Sequence, residues 1–452
     1  MRWAFPKSLV MLLLVLTLAA QGPRALLAEA DGYARRREFA KAAELYRQAL
    51  ASDPALVAAR RNLGTVLWFL NRKAESEREF AAVLKQSPKD PVPHLYTGLA
   101  AYERQQFAAA KAHFQKAGPL ALENPEVLPA VLEAYLATRD LSVPRRLLDQ
   151  LQAATNPDPA LVSRAGALFI QYGYTEMGIA ALGKLTSSGH ANVDTWLVLA
   201  GAHDKQGQPE KAYAAYGHAL EADPDSEQAY LALAQFAMAH KNNQFALKVV
   251  QDGLRQAPGS ARLLLEQGLL WATEGDRAKA AEAFWKAAQA NPHSALPLLA
   301  SGVLLLEDGD PHEAASRFRE AAKADPRDYR AEYLYATALG RFDRQDAAVT
   351  AEAIAALRRA IALNPADANS RAALGKAYLA AKRVPEGIRE LERALKLDPK
   401  NLTALYQLGL AYRSQGRTEE ARRLLEQFKA LKAKAGEEEA AAVQIMRIVS
   451  GK

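Results

Sequence analysis

The sequence predicts an all-α fold in which about twelve similar helix pairs stack into one α-solenoid. The first observation is a regular proline spacing of 34 residues, which relates Pro54 to Pro88, Pro224 to Pro258, Pro258 to Pro292, Pro292 to Pro326 and Pro365 to Pro399. Most of these prolines follow Asp or Asn. A helix ends before such a dipeptide, because the residue before proline avoids the α region and proline has no N–H to donate. The second observation is that apolar residues recur every three or four positions between the breaks, as in an amphipathic helix.

The composition excludes several classes of protein. Of the 452 residues, 50% are hydrophobic and 24% are charged, which argues against disorder and against a polytopic membrane protein. The absence of cysteine excludes disulfides, thiol nucleophiles and zinc–thiolate or iron–sulfur centres. The net charge of +7 is small for this length and is not concentrated on one face, so we expect no nucleic-acid partner.

The N-terminal segment differs from the rest of the chain. Arg2 and Lys7 precede an apolar run over residues 9–16, and small or turn-forming residues follow. This order is typical of a secretory signal. The sequence therefore predicts a signal peptide at residues 1–22, with cleavage between residues 20 and 30, and an exported protein that is periplasmic or secreted. The alternative is an uncleaved N-terminal anchor, the one case in which we expect membrane contact, although the run is shorter than the roughly 20 residues that span a bilayer.

Each repeat between residues 23 and 435 is predicted to hold two antiparallel helices joined by a tight turn. Glycines fall halfway through several repeats, where a left-handed residue commonly ends a helix: Gly207, Gly275, Gly309 and Gly416. Two repeats, 126–159 and 160–192, fit the pattern poorly. Pro129 and Pro144 lie inside the first, and the second has no closing proline.

Two further segments depart from the regular repeats. The repeat 329–367 carries five extra residues, within a charged stretch at 341–352. We expect this insertion to form a loop or an elongated helix, with a binding element as the alternative. The segment 436–452 begins with acidic residues and then has apolar residues at every third position from Val443. It is predicted to be a capping helix over the last repeat, with a partner-binding tail as the alternative.

The residues of single repeats resemble the tetratricopeptide repeat. The repeat 261–294 supplies the residues of this pattern at Leu264, Gly268, Trp271, Ala280, Phe284, Ala287 and Pro292. The last repeat supplies Leu405, Leu408, Gly409, Tyr412 and Ala421 but lacks the closing proline. The resemblance implies a right-handed α-solenoid that binds other proteins.

The sequence contains no motif that predicts catalysis. No His-Glu-x-x-His pair occurs, since His312 and Glu313 are followed by Ser316 where the second histidine would stand. No phosphate-binding glycine loop or nucleophile elbow is present either. We therefore predict no enzyme activity, no catalytic residue, no metal site and no cofactor.

The resemblance also implies a binding groove, because in the family the first helix of each repeat lines the concave side of the superhelix. The residues at the corresponding positions are Trp68, Phe69, Leu95, Leu99, Tyr102, Leu231, Gln235, Met238, Leu265, Leu269, Leu296, Leu299, Val303, Leu306, Arg330, Tyr333, Arg341, Tyr406 and Arg413. The middle of this predicted groove is apolar and its C-terminal part is aromatic and basic, which favours an amphipathic helix or an extended apolar peptide. Its leucines argue against an acidic C-terminal peptide. The alternative is that some leucines pack on the neighbouring repeat.

These observations lead to one main functional hypothesis. We expect an exported, non-enzymatic scaffold that binds protein components of a cell-envelope assembly, a setting that the resemblance implies. The alternative is an accessory role in exopolysaccharide export or glycan binding, with polysaccharide as a partner.

Overall fold

The computed structural model describes residues 22–342 and 346–435, and these form helices and turns without a β-strand among them. The 25 helices of the described part are α1 (Pro23–Arg35), α2 (Phe39–Ser52), α3 (Val57–Phe69), α4 (Lys73–Gln86), α5 (Pro91–Glu103), α6 (Phe107–Ala117), α7 (Pro119–Leu122), α8 (Leu128–Ala137), α9 (Ser142–Ala153), α10 (Pro159–Gln171), α11 (Thr175–Ser187), α12 (Val193–Lys205), α13 (Pro209–Ala222), α14 (Glu227–Ala239), α15 (Asn243–Gln256), α16 (Ala261–Thr273), α17 (Arg277–Ala290), α18 (Leu296–Glu307), α19 (Pro311–Ala324), α20 (Tyr329–Leu339), α21 (Ala347–Leu363), α22 (Ala368–Ala380), α23 (Val384–Leu397), α24 (Leu402–Ser414) and α25 (Thr418–Ala435).

Apart from the four-residue helix α7, these helices form twelve successive pairs. Within eleven of these pairs the two helices pack against each other, and most second helices also pack against the first helix of the next pair. The predicted all-α fold of helix-turn-helix repeats is confirmed. The chain divides between Ala215 and Tyr216 into two compact parts, which we call the N-terminal half (residues 22–215) and the C-terminal half (residues 216–435).

The two helices of a repeat meet through a small residue on one and a large residue on the other. In the repeat 261–294, a Cβ built on Gly268 would lie 2.3 Å from Cε1 of Phe284. The Phe284 ring is fully buried. Only glycine therefore lets α16 approach α17 this closely while the ring fills the space between them.

In eleven repeats the turn between the paired helices contains a residue in the left-handed conformation, as predicted for Gly207, Gly275, Gly309 and Gly416. In six repeats this residue is not glycine: Arg37, Asn71, Gln105, Arg139, Lys241 and Lys382. Glycine has no Cβ to strain this conformation. The turn forms without it because helix packing on both sides fixes the backbone.

The prolines inside the poorly fitting repeats do not break their helices. Pro129 is the second residue of α8, and Pro144 is the third residue of α9. The first four N–H groups of a helix have no acceptor within it, so proline removes no hydrogen bond at these positions.

The insertion forms both a turn and a helix extension. Helix α21 has 17 residues, whereas α17, α19 and α23 have 14 each. Asp346 caps α21, and its carboxylate accepts hydrogen bonds from the N–H groups of Ala348 and Val349. Part of the stretch 341–352 is thus helical, while its residues 343–345 lie outside the described residues.

Among residues 22–342 and 346–435, none of the helices has the length and apolar character needed to cross a membrane. The predicted signal peptide, except for Gly22, and the predicted capping helix at 436–452 lie outside the described residues.

Candidate protein-binding surfaces

Seven residues of the predicted groove are buried, so their assignment to an exposed surface was wrong. They are at most 9% exposed and comprise Leu95, Leu231, Leu265, Leu269, Leu299, Val303 and Leu306. Five of them, from Leu265 onward, belong to one apolar cluster that extends into the following repeats. The alternative that leucines pack on neighbouring helices therefore holds for these positions.

The N-terminal half presents a cluster of aromatic side chains around two predicted residues, Trp68 and Phe69. Phe69, at the end of α3, is 57% exposed, and its ring stacks on Phe39 with centroids 5.1 Å apart. The ring of Tyr96, on α5, contacts three other rings. Its centroid lies 5.4 Å from that of Trp68, 6.5 Å from that of Phe69 and 5.2 Å from that of Phe80. We call Phe39, Trp68, Phe69, Phe80 and Tyr96 the aromatic cluster.

Two ion pairs follow Trp68 and Phe69 in the sequence. Lys73 lies over the Trp68 ring, with Nζ 4.6 Å from the centroid, and also pairs with Glu103. Arg72 donates two hydrogen bonds to Glu75, at 2.7 and 2.8 Å. Phe39, Phe80 and Tyr96 are not among the predicted groove residues. Phe39 and Phe80 lie on second helices, whereas the predicted positions were those of first helices. Tyr96 does lie on a first helix, and the repeat pattern did not distinguish it.

Two other predicted residues of this half, Leu99 and Tyr102, are half-buried on α5. Tyr102 donates a hydrogen bond of 2.5 Å to Glu133 of α8, and Tyr172 donates one of 3.0 Å to the other oxygen of the same carboxylate. Burial, followed by the bond to Glu133, raises the pKa of each tyrosine to about 12. Three successive repeats are thereby linked through Glu133, a residue that no sequence pattern indicated.

In the C-terminal half, the predicted residues Gln235, Met238 and Leu296 remain partly accessible. Gln235 is exposed on α14 and makes a hydrogen bond to Glu266 of α16. Glu266 is only 8% exposed, and burial raises the pKa of its carboxyl. Nothing in the sequence distinguishes Glu266, which is buried, from the many exposed Asp and Glu residues.

The predicted basic residues near the insertion are engaged within the chain. The Arg330 guanidinium donates to both oxygens of Asp328, at 2.8 and 2.6 Å. Nη1 of Arg341 donates a hydrogen bond of 2.6 Å to the carbonyl of Leu306. Tyr333 is half-buried, and desolvation raises the pKa of its hydroxyl.

In the last repeat, the predicted groove residues Tyr406 and Arg413 are exposed. Tyr406 is 40% exposed, and its ring centroid lies 5.1 Å from that of Phe428. Within the described ranges, no group of three His, Cys, Asp or Glu residues could hold a metal ion.

This arrangement defines a helical-repeat protein whose first helices carry both buried packing residues and exposed aromatic and charged ones. The chain belongs to the tetratricopeptide repeat family. Models described as tetratricopeptide repeats match residues 27–91, 193–236, 227–355, 350–391 and 373–438, which together make up more than half of the chain. Such repeats are generally non-catalytic scaffolds, so the chain is a protein-interaction scaffold.

No protein of curated function matches the sequence. Among solved structures, one titled crystal structure of MamA is 27% identical over 37% of this chain and 95% of its own, with a TM-score of 0.32. Yeast Tom70 is 15% identical over 95% of both chains, with a TM-score of 0.41. YrrB, described as a TPR protein with an unusual peptide-binding site, is 18% identical over 43% of this chain and 97% of its own, with a TM-score of 0.35. These TM-scores are too low to support a conclusion about function.

Proposed function

We propose that this protein is an exported scaffold of the cell envelope that holds partner proteins and has no catalytic activity of its own. The observation that supports a specific binding surface is the exposure of Phe69 within the aromatic cluster. Export is inferred from the order of basic, apolar and small residues at positions 1–22.

The aromatic cluster has the physical character of a binding anchor. An exposed Phe normally costs free energy through contact with water, and covering it recovers this energy. The Phe69 ring stacks on Phe39 and meets Tyr96 edge to face, so little side-chain entropy remains to be lost when a partner binds. The ion pairs of Arg72 and Lys73 form a polar edge of the kind that surrounds an apolar anchor in protein interfaces.

The occupant that fits this surface is an apolar segment of another protein, either an amphipathic helix or an extended peptide. An aliphatic or aromatic side chain of that segment would cover the Phe69 ring. Its polar residues would meet the carboxylates and cations at the edge.

Affinity purification from envelope fractions tests this proposal. The full chain is compared with Phe69→Ser and with a control, Trp285→Ser, which removes another aromatic residue of 54% exposure from α17. We expect Phe69→Ser to lose one or more co-purifying proteins that both the wild type and the control retain. If all three chains capture the same proteins while circular dichroism shows them equally folded, the aromatic cluster is not the binding surface.

Localisation needs a separate test. Residues 1–30 are fused to a reporter that is active only outside the cytoplasm, with Leu12→Arg and Leu14→Arg as an interrupted control. An active fusion and an inactive control support export. An inactive wild-type fusion would show that the protein is not exported by this segment. The envelope location would then be dropped from the proposal, and the scaffold function would stand. Carbonate extraction then separates a cleaved, released protein from one that the N-terminal segment anchors.

Glycan binding remains the second candidate because aromatic rings can stack on sugar rings. Phe69 and Tyr406 are 57% and 40% exposed. Binding of soluble envelope polysaccharide that is lost in Trp68→Ala or Tyr406→Ala would favour an accessory role in polysaccharide export. Retention of protein partners in the same variants would separate this role from the scaffold.

A further inference from the structure

The insertion in the repeat 329–367 builds one wall of a cleft in the C-terminal half. This cleft, of about 510 Å³, lies between α21 and the turn that joins α22 to α23. Ala347 and Thr350, in the first turn of α21, line one end of it, and Lys382 and Arg383 of the turn line the other side. Because α21 is three residues longer than α17, α19 or α23, the wall at Ala347 comes from residues that a regular repeat lacks.

The charged lining of this cleft is entirely basic. Arg358, Lys382 and Arg383 line it, and the described lining residues include no carboxylate. Arg383 pairs with Glu386 through hydrogen bonds of 3.0 and 2.9 Å. Arg358 and Lys382, by contrast, have no carboxylate partner among the residues that the structure describes. Nearby acids are engaged elsewhere, since Glu352 pairs with Arg359 and Asp367 caps α22.

Tyr378 holds two of these cations in place. Its side chain is only 4% exposed, and its hydroxyl accepts a hydrogen bond of 3.0 Å from Nε of Arg358. The guanidinium carbon of Arg383 lies 4.5 Å from the centre of the same ring. With Nε of Arg358 bound to Tyr378, its two terminal nitrogens remain available to donate to a carboxylate.

Apart from Thr350, the uncharged residues that line the cleft are apolar. Ile354 and several alanines of α21 and the turn form its floor. A ligand that fits therefore combines a carboxylate with an aliphatic group, as glutamate or aspartate beside leucine does in a peptide. A phosphate ion would satisfy the cations but leave the apolar floor uncovered.

We propose that this cleft binds an acidic and aliphatic segment of a partner protein, with a carboxylate between Arg358 and Lys382 and an aliphatic side chain against Ile354. The proposal rests on the scaffold function and adds a second binding site to it. It does not conflict with the sequence argument against acidic peptides, which concerned the first helices. The cleft is built from a second helix and a turn.

The test measures binding of a short fluorescein-labelled peptide of alternating glutamate and leucine to the full chain by fluorescence anisotropy. The variant is Arg358→Gln/Lys382→Gln. The control is Arg359→Gln, which removes an arginine from the same helix that already pairs with Glu332 and Glu352. We expect Kd to rise about tenfold in the double variant and less than about twofold in the control. A peptide with glutamine in place of glutamate should bind at least about tenfold more weakly to the wild type.

Several outcomes would overturn the proposal. These are an unchanged Kd in the double variant, an equal loss in Arg359→Gln, or displacement of the peptide by inorganic phosphate at a concentration where chloride has no effect. If the double variant is less stable by thermal melting, Lys382→Gln alone provides the measurement, because the Lys382 side chain is exposed. Failure here would leave the capture of proteins through Phe69 unaffected, so the cleft and the scaffold proposal can fail separately.

Discussion

Nδ1 of His94 lies 3.0 Å from Nδ1 of His113, and Nε2 of His94 lies 2.9 Å from the carbonyl oxygen of Pro88. A carbonyl only accepts, so Nε2 of His94 carries a proton and donates it to Pro88. In a neutral His94, Nδ1 is then unprotonated and accepts a hydrogen bond from Nδ1 of His113. The neutral pair satisfies both contacts, whereas two imidazolium rings would place two donors against each other.

The first prediction follows from this pair. Burial, then the neighbouring His94 and Lys116, lowers the pKa of His113 below its usual value. The unfolded chain therefore binds the proton more readily than the folded chain does. Stability should be fully present above the unfolded pKa of about 6.5 and should fall as the pH decreases through it.

Thermal melting of the wild type and His113→Gln between pH 7.5 and 5.5 measures this effect. We expect the wild type to lose more stability than the variant over this interval. The other seven histidines are common to both chains, so the difference reports on His113. An equal loss in the two chains would contradict the prediction.

The second prediction concerns Tyr102 and Tyr172, which share Glu133. Burial and the hydrogen bond to Glu133 raise the pKa of both hydroxyls to about 12. In Glu133→Gln the negative charge is absent while burial remains. We therefore expect both pKa values to fall towards, but not reach, the ordinary value near 10.

Tyrosinate absorbance during alkaline titration checks this prediction, with Glu126→Gln as the control because Glu126 is an exposed acid of the same repeat. The raised pKa values also mean that the folded state is favoured below pH 10 and loses this contribution as the pH rises towards 12. If Glu133→Gln titrates like the control, the shared carboxylate does not hold the two tyrosines.

The fold was predictable because most repeats carry the same pattern of small, large and proline residues. Pairs such as Gly268 and Phe284 recur 34 residues apart, as at Gly302 and Phe318. Proline spacing sets where each pair ends. A single ambiguous repeat, such as 126–159, could therefore be placed from its neighbours.

The binding surface was harder to predict for a physical reason. A first helix packs against its own partner and against helices of adjacent repeats, so apolar residues occur on more than one of its faces. Spacing alone did not separate buried Leu299 from exposed Tyr406. The basic cleft depends on contacts between Arg358 and Tyr378, which lie in consecutive repeats, and on the length of α21, neither of which is visible in one helix.

The third prediction tests the close approach of α16 and α17. Gly268→Ala places a Cβ 2.3 Å from the fully buried Phe284 ring, so packing must shift, and we expect a loss of about 1–3 kcal/mol. The control is Gly217→Ala in α13, where a Cβ would meet nothing within 4 Å. Alanine has the higher helix propensity, so this control should gain up to about 1 kcal/mol.

Urea unfolding followed by circular dichroism measures both glycine variants. Hydrogen exchange of α16 and α17 locates the change, since unfolding of a repeat array need not be two-state. Stabilisation of Gly268→Ala to the extent seen in Gly217→Ala would show that the two helices are not in close contact.

The last prediction tests whether Leu299 of α18 belongs to the buried core or faces the predicted groove. Leu299 is fully buried, whereas Leu296, one turn earlier on α18, is half-buried. Removing a fully buried leucine side chain costs its transfer free energy and leaves a cavity, so we expect Leu299→Ala to destabilise the chain by about 2–5 kcal/mol. Leu296→Ala should cost clearly less, because part of its side chain already contacts water. Urea unfolding of the two variants gives the comparison. If Leu299→Ala is as stable as the wild type and instead weakens the capture of a partner protein, Leu299 faces the groove, and its assignment to the core is wrong.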